Sequence, residues 1–160
     1  MRLFFALWPP SETALALHAW ANGLEGRVTA ADKIHLTLAF LGSVEPQKAI
    51  AAAKQVAGEP FDLQIDSAKY VRDNHMVWVG PREMPEGLRV LAKRLHLALY
   101  RAEFILERRP FAAHVTLLRK ARRPAAIAPL PKVAWPVREF ALVNSAGGAY
   151  VDVERFRLDS

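Results

Sequence analysis

The 160-residue sequence contains no cysteine. This absence excludes disulfide frameworks, thiolate nucleophiles and zinc sites built on cysteine, and it is compatible with a reducing cytosol. The chain also has no hydrophobic run that is long enough to cross a membrane. The largely apolar run over residues 2–8 is ended by Pro9 and Pro10, well short of a signal-peptide core, so we predict a buried strand there. We therefore expect a cytoplasmic protein without a membrane partner.

Acidic residues are the minority among the charged side chains. The sequence has 16 Asp and Glu against 22 Lys and Arg, which gives a formal net charge of +6. A basic excess favours an anionic partner such as nucleic acid, although a small basic protein also gains solubility from its net charge. A chain of this length forms one compact domain, or two small lobes around a shared cleft, so we expect a single active site.

Apolar periodicity and turn residues predict alternating helices and strands. Helices are predicted over residues 11–22 and 46–58, and over residues 88–99, where leucines recur at three- and four-residue steps. Residues 121–136 contain four prolines and predict an ordered surface connection. The predicted strands are residues 2–8, 34–41, 61–71, 76–80, 112–119, 137–145 and 149–157.

The same order of elements occurs in both halves of the chain. Each half contains a strand, a helix, a strand with the motif His-x-Thr, and further strands. This repeat predicts two similar lobes related by approximate internal symmetry, each presenting one His-x-Thr. We therefore interpret residues 1–160 as a single two-lobed domain.

The two tetrapeptides that begin at His35 and His114 both have the pattern His-x-Thr-Leu. In a strand, alternation places His35 and Thr37 on one face, and likewise His114 and Thr116, while the intervening apolar residues face a core. Two imidazoles that face one phosphate can act as general base and general acid near neutral pH. The threonine hydroxyls can donate hydrogen bonds to phosphate oxygens. This chemistry needs neither a metal nor a cofactor.

One His-x-Thr is weak evidence, because a single strand histidine is more often structural than catalytic. Two copies at corresponding places of a repeat are difficult to assign to chance, and with their flanking segments they resemble the two-histidine phosphoesterase superfamily. Within it, the sequence is most similar to the bacterial and archaeal RNA 2′,3′-cyclic phosphodiesterases that were first described as 2′-5′ RNA ligases. The segments that carry the resemblance are residues 2–6 (RLFFA), 35–42 (HLTLAFLG), 110–119 (PFAAHVTLLR) and 150–156 (YVDVERF).

The resemblance implies a bilobal α+β fold in which antiparallel sheets line a central cleft and helices pack outside. It also implies that His35 is the proton donor to the leaving oxygen and that His114 is the proton acceptor that activates water. The near-identical tetrapeptides themselves cannot assign these roles. By the same resemblance, Arg119 neutralises phosphate charge. Arg119 follows His114 by five residues, so a regular strand would direct it away from the cleft unless the strand ends or bulges first.

Several other residues are weaker candidates. Phe40, Phe111 and Tyr150 could stack on a terminal base, although alternation predicts that Phe40 lies in the core. The histidines at positions 18, 75 and 96 have no metal-ligand spacing and are predicted to be structural or exposed. A cluster of six cations surrounds the second motif and fits either an RNA-binding patch or solvated loop charge. Its members are Arg108, Arg109, Arg119, Lys120, Arg122 and Arg123.

The resemblance predicts hydrolysis of terminal 2′,3′-cyclic phosphates to 2′-phosphomonoesters, on RNA ends or cyclic nucleotides, with no obligatory protein partner. Three alternatives remain open from the sequence. The same site could join RNA ends through a 2′-5′ bond by the reverse reaction, or the chain could be a non-catalytic RNA-binding protein. A histidine-ligated metalloenzyme ranks last, because no acidic or cysteine ligand set accompanies the two histidines.

Overall fold

The computed structural model describes residues 1–159. In these residues the α-helices are α1 (Ser11–Ala21), α2 (Pro46–Ala53) and α3 (Glu86–Arg101), and a 3₁₀ turn covers Ala31–Lys33. The strands are β1 (Arg2–Leu7), β2 (Arg27–Val28), β3 (Leu36–Ser43), β4 (Phe61–Asp62), β5 (Ser67–Val71), β6 (Met76–Gly80), β7 (Val115–Arg119), β8 (Pro136–Val137), β9 (Glu139–Asn144) and β10 (Val151–Arg157).

Two four-stranded antiparallel sheets form the frame of the molecule. The first sheet has the strand order β10-β9-β1-β3, and the second has the order β2-β7-β6-β5. The short strands β4 and β8 pair with each other. Each large sheet contains one His-x-Thr strand, β3 or β7, paired with the strand that opens its repeat, β1 or β6. The predicted α+β class is confirmed.

The two halves of the chain exchange elements between the sheets. Strand β5 from the first half pairs with β6 in the second sheet, while β9 and β10 from the second half complete the first sheet beside β1. The helices follow the same rule, since α1 contacts β7 and α3 contacts β3. The repeat predicted two lobes but did not predict this exchange.

Helix α3 shows how the sequence pattern produces the packing. Its leucines at positions 88, 91, 95 and 99 are fully buried on one face, as their three- and four-residue spacing predicts. Most buried apolar side chains of both sheets and of the helices form one continuous cluster, and a second, smaller cluster on the first sheet contains Phe4, Ala6, Ala141 and Val143. The two sheets therefore share a core, and residues of both sheets line a cleft. No helix in residues 1–159 is long and apolar enough to cross a membrane.

Some predicted boundaries differ from the structure. Helix α2 ends at Ala53 rather than near Gly58, and the predicted strand over 61–71 is interrupted between β4 and β5. The connection over 121–136 forms no regular element before Pro136, but it buries Trp135. His35 and His114 each immediately precede a strand, so the imidazoles lie where the chain enters the sheet.

Candidate active site

A cleft of about 730 Å³ contains all five residues that the sequence singled out. His35 and Thr37 line it from the first sheet, and His114, Thr116 and Arg119 line it from the second. In both strands the residue after the histidine and the residue after the threonine are buried. The two His-x-Thr pairs therefore face one cavity, while their apolar neighbours anchor the strands in the core.

His35 is held in a defined orientation by hydrogen bonds from both ring nitrogens. Its Nδ1 donates to the Lys33 carbonyl at 2.7 Å, because a carbonyl oxygen can only accept. In the neutral ring this leaves Nε2 to accept a hydrogen bond from Thr37 Oγ1 at 2.9 Å. Three aromatic rings surround the imidazole at centroid distances of 5.0, 5.6 and 5.5 Å, namely Phe4, Trp8 and Tyr150.

His114 repeats the backbone contact of His35 in different surroundings. Its Nδ1 donates to the carbonyl of Ala112 at 3.0 Å, again two residues before the histidine. The ring stacks on Trp78 with a centroid distance of 4.0 Å and an interplanar angle of 22°. In both motifs, therefore, a carbonyl fixes the proton on Nδ1 and leaves Nε2 for chemistry.

Both imidazoles have pKa values below the ordinary histidine value. Burial is the main cause for His35, and the charges of Arg119 and of a protonated His114 act in the same direction, against the hydrogen bond to the Lys33 carbonyl. Burial also lowers the pKa of His114, with further contributions from Arg109 and Arg119. Desolvation disfavours the charged imidazolium, so burial in the cleft favours two neutral histidines near neutral pH.

A β-bulge in each motif strand decides which later residue faces the cleft. Between β6 and β7 the pairing steps from Trp78 opposite Thr116 to Val77 opposite Leu118, so Leu117 is the extra residue. Leu117 and Leu118 are consequently both buried, and Arg119 lines the cleft. A regular strand would direct Arg119 away from the cleft, and this bulge is the reason that its side chain faces the cleft instead.

Strand β3 has a β-bulge at the corresponding position, and this bulge contradicts the prediction made for Phe40. Ala6 lies opposite Thr37 and Phe5 opposite Ala39, so Leu38 is the extra residue. Phe40, five residues after His35, therefore lines the cleft and is 46% exposed. The expectation that Phe40 lies in the core is wrong, because it assumed unbroken alternation. Phe40 and Arg119 occupy corresponding positions in the two lobes.

The cluster of cations around the second motif is divided by the fold. Arg109 and Arg119 line the cleft, whereas Arg108, Lys120 and the two arginines at 122 and 123 are not in its lining. Arg122 forms an exposed ion pair with Glu25 at 3.6 Å. The patch that could meet a phosphate backbone is smaller than the sequence cluster, and it includes one arginine from a distant segment, Arg27.

The other candidate residues are also placed by the fold. Phe111, Tyr150 and His96 line the cleft, and His96 Nε2 donates to the Leu38 carbonyl at 2.6 Å, which ties α3 to the bulge of β3. Trp78 was not singled out in the sequence. Its position opposite Thr116 depends on the pairing of β6 with β7, which no local pattern predicts. Within residues 1–159, no group of three or more His, Asp or Glu side chains is arranged to hold a metal ion.

Comparisons with known proteins agree on one family. A family model described as the 2′-5′ RNA ligase superfamily matches residues 9–149. The RNA 2′,3′-cyclic phosphodiesterase of Escherichia coli K12 is 38% identical over 154 residues, which cover 91% of this chain and 87% of that protein. The crystal structure of E. coli LigT complexed with 3′-AMP is similar with a TM-score of 0.90 at 34% identity, covering 99% of this chain and 98% of that one. The crystal structure of TT0787 from Thermus thermophilus has a TM-score of 0.78 at 27% identity, with the same coverage.

Proposed function

The chain belongs to the 2′-5′ RNA ligase superfamily, and we propose that it is an RNA 2′,3′-cyclic phosphodiesterase that leaves a 2′-phosphomonoester. The observation that carries the proposal is the pair of His-x-Thr motifs on opposite walls of one cleft. Both imidazoles have Nδ1 bound to a backbone carbonyl. A phosphate between them would have one Nε2 available on each side, as in-line displacement requires.

In the proposed reaction, His114 Nε2 accepts a proton from a water molecule that attacks the phosphorus. His35 Nε2 donates a proton to the departing 3′ oxygen, so the phosphate remains on the 2′ oxygen. The bond from phosphorus to the attacking oxygen forms while the bond to the 3′ oxygen breaks. His114 thus ends protonated and His35 ends neutral, and proton exchange with solvent restores both histidines.

The other three site residues stabilise charge on the phosphate. The hydroxyls of Thr37 and Thr116 donate to its non-bridging oxygens, and the Thr37 hydroxyl exchanges its present contact with His35 for the substrate. Arg119 contributes a guanidinium whose charge already acts on both histidines. Because an anionic phosphate next to His35 favours the imidazolium, substrate binding raises the pKa of the proposed acid, which burial alone lowers.

The test uses an oligonucleotide with a terminal 2′,3′-cyclic phosphate and an excess of chelator. We expect His35→Ala and His114→Ala each to lower kcat by at least about 100-fold, the usual contribution of a positioned acid or base. His75→Asn is the matched control, because His75 is an exposed histidine outside the cleft lining and asparagine tolerates its positive φ of 52°. Product analysis should give a 2′-phosphate.

Other results of this experiment would contradict separate parts of the proposal. Full activity of either alanine variant would overturn the two-histidine mechanism, and activity lost to chelator would overturn metal independence. A 3′-phosphate product would contradict the regiochemistry alone. Joined RNA ends in excess of hydrolysed ends would favour the ligase, and binding without turnover would favour an RNA-binding protein.

We also propose a cytoplasmic location, which the cysteine-free sequence supports.

A further inference from the structure

Two arginines lie side by side at one end of the cleft. Arg27 in β2 is directly opposite Arg119 in β7, and both side chains line the cleft. Directly opposed residues of antiparallel strands have Cβ atoms about 5 Å apart, and like charges in such a pair destabilise the sheet.

No carboxylate in residues 1–159 forms an ion pair with either arginine. Two further cationic side chains line the cleft, Lys33 and Arg109. Lys33 Nζ donates to the Gly148 carbonyl at 2.5 Å and lies over the Tyr150 ring, and Arg109 is 3.4 Å from Glu107. Within residues 1–159, only Arg109 of these four cations has a carboxylate partner, and of the other three, Arg27 and Arg119 lie at directly opposed strand positions.

The two arginines lie on different strands of the second sheet. The charge of Arg119 lowers the pKa of both histidines, and Arg119 lies in β7, the strand that follows His114 and contains Thr116. Strand β2 is also the edge strand of the second sheet, one strand outward from β7. Arg119 is thus near the reacting phosphate, and Arg27 continues the positive charge outward along the cleft.

The position of Arg27 is built into the backbone. Gly26 has a φ of +151°, and a Cβ added there would lie 2.8 Å from Ala121 Cα and 3.1 Å from the Arg119 carbonyl oxygen. Only glycine permits this close approach of β2 to β7. The approach places the residue that follows Gly26 beside Arg119 at the cleft.

We propose that Arg27 is a second phosphate-binding residue, which binds the phosphate joining the terminal nucleotide to the preceding nucleotide of an RNA. This inference rests on the proposed function, in which Arg119 serves the cyclic phosphate. A nucleoside 2′,3′-cyclic phosphate has no second phosphate, whereas every RNA end has one. The preferred substrate is therefore an RNA end rather than a free cyclic nucleotide.

The test compares three substrates with the unmodified protein and with Arg27→Gln. The substrates are adenosine 2′,3′-cyclic phosphate, a diadenosine dinucleotide with a terminal 2′,3′-cyclic phosphate, and the same dinucleotide with a neutral methylphosphonate linkage. The first nucleoside of both dinucleotides carries a 2′-O-methyl group, which protects the linkage. Arg138→Gln is the control, because Arg138 is exposed and outside the cleft lining.

We compare kcat/KM for the dinucleotide with kcat/KM for the mononucleotide. In Arg27→Gln this ratio should fall about 10-fold, the effect of losing one charged hydrogen bond. The change should come mainly from a higher KM for the dinucleotide. The methylphosphonate should lower the same ratio in the unmodified protein and should cause little further loss in Arg27→Gln. The slope of log kcat/KM against log salt for the dinucleotide should become shallower by about 0.7. Arg138→Gln should retain the original ratio.

Two outcomes distinguish failure of this inference from failure of the proposed function. Turnover of all three substrates with an unchanged ratio in Arg27→Gln would overturn the second phosphate site and leave the phosphodiesterase intact. No turnover of any substrate by the unmodified protein would overturn both.

Discussion

His35 and His114 share one hydrogen-bond pattern, but their surroundings differ. Each donates from Nδ1 to the carbonyl two residues earlier, so the tetrapeptide and its approach to the sheet fix the tautomer in both lobes. His35 lies among three aromatic rings, whereas His114 stacks on one indole. The internal repeat therefore provides two imidazoles with the same backbone contact, and their different neighbouring side chains make them chemically unequal, as the proposed acid and base must be.

In the proposed mechanism, the lowered pKa values of the two histidines predict the pH dependence of the reaction. As pH falls through the lower pKa the base becomes protonated, and as pH rises through the higher pKa the acid loses its proton. Because burial lowers both pKa values in the free enzyme, the maximum of kcat/KM should lie below about pH 6.5, the unperturbed histidine pKa. The maximum of kcat should lie at higher pH, because the bound phosphate raises both values.

Measurement of both profiles at constant ionic strength checks this prediction. Arg119→Gln removes a charge that lowers the pKa of both histidines, so the kcat/KM maximum of that variant should move to higher pH even though its activity falls. A kcat/KM maximum above about pH 7 in the unmodified protein would contradict dominant desolvation of the histidines.

Strand alternation predicted which side chains face the cleft only up to the β-bulge in each motif strand. His35 with Thr37, and His114 with Thr116, are two residues apart, and they line the cleft as strand geometry predicts. The prediction failed at Phe40, three residues beyond Thr37, because a bulge intervenes. The leucine at the bulge is as apolar as a leucine in a regular strand, so no residue type marks the change of face.

At the scale of secondary structure, β6 ends at Gly80, next to the backbone of the second His-x-Thr motif. The two backbones lie so close together that there is no space for a side chain at Gly80. A Cβ on this buried glycine would lie 2.8 Å from the Ala113 carbonyl oxygen and 3.5 Å from His114 Cα. The residue that ends β6 therefore sets the position of the backbone from which His114 enters the cleft. The φ of Gly80 is not in the left-handed region, so steric contact alone requires glycine here.

Gly80→Ala should accordingly reduce both stability and activity. We expect a loss of about 1–3 kcal/mol in the free energy of unfolding, as for overpacking of a buried site, together with a lower kcat because His114 is displaced. Gly23→Ala is the control, since its Cβ would meet nothing closer than the Trp20 carbonyl oxygen at 3.4 Å. Urea unfolding and kcat are the measurements, and a Gly80→Ala protein with unchanged values of both would contradict the argument.

The elements themselves were more predictable than their pairing. Helix α3 and strand β6 follow from periodicity and alternation, which act within a few residues. The partners of β5 and β9 depend on contacts between distant segments, for which a sequence pattern contains no local signal. The exchange of strands between the two sheets is therefore visible in the structure alone.

For the whole molecule, the exchange of elements and the shared core predict a single folding unit. We expect one calorimetric transition, with a calorimetric enthalpy equal to the van't Hoff enthalpy. Leu142→Ala in the first sheet and Leu117→Ala in the second remove fully buried side chains and should each cost about 2–5 kcal/mol. Both variants should lower the midpoint of the same transition, whereas two transitions that respond separately would show that the lobes unfold independently.

The central position of β1 also affects how the chain folds while it is being made. One edge of β1 pairs with β3, but the other pairs with β9, and the hydrogen bond from Arg2 N to Asn144 Oδ1 spans 142 positions. During synthesis on a ribosome, the apolar strand β1 is therefore made long before β9, and one of its edges stays unpaired until β9 has been translated. An unpaired apolar edge can pair with other chains. A nascent chain that stalls before β9 should therefore bind chaperones, because its first sheet cannot form completely.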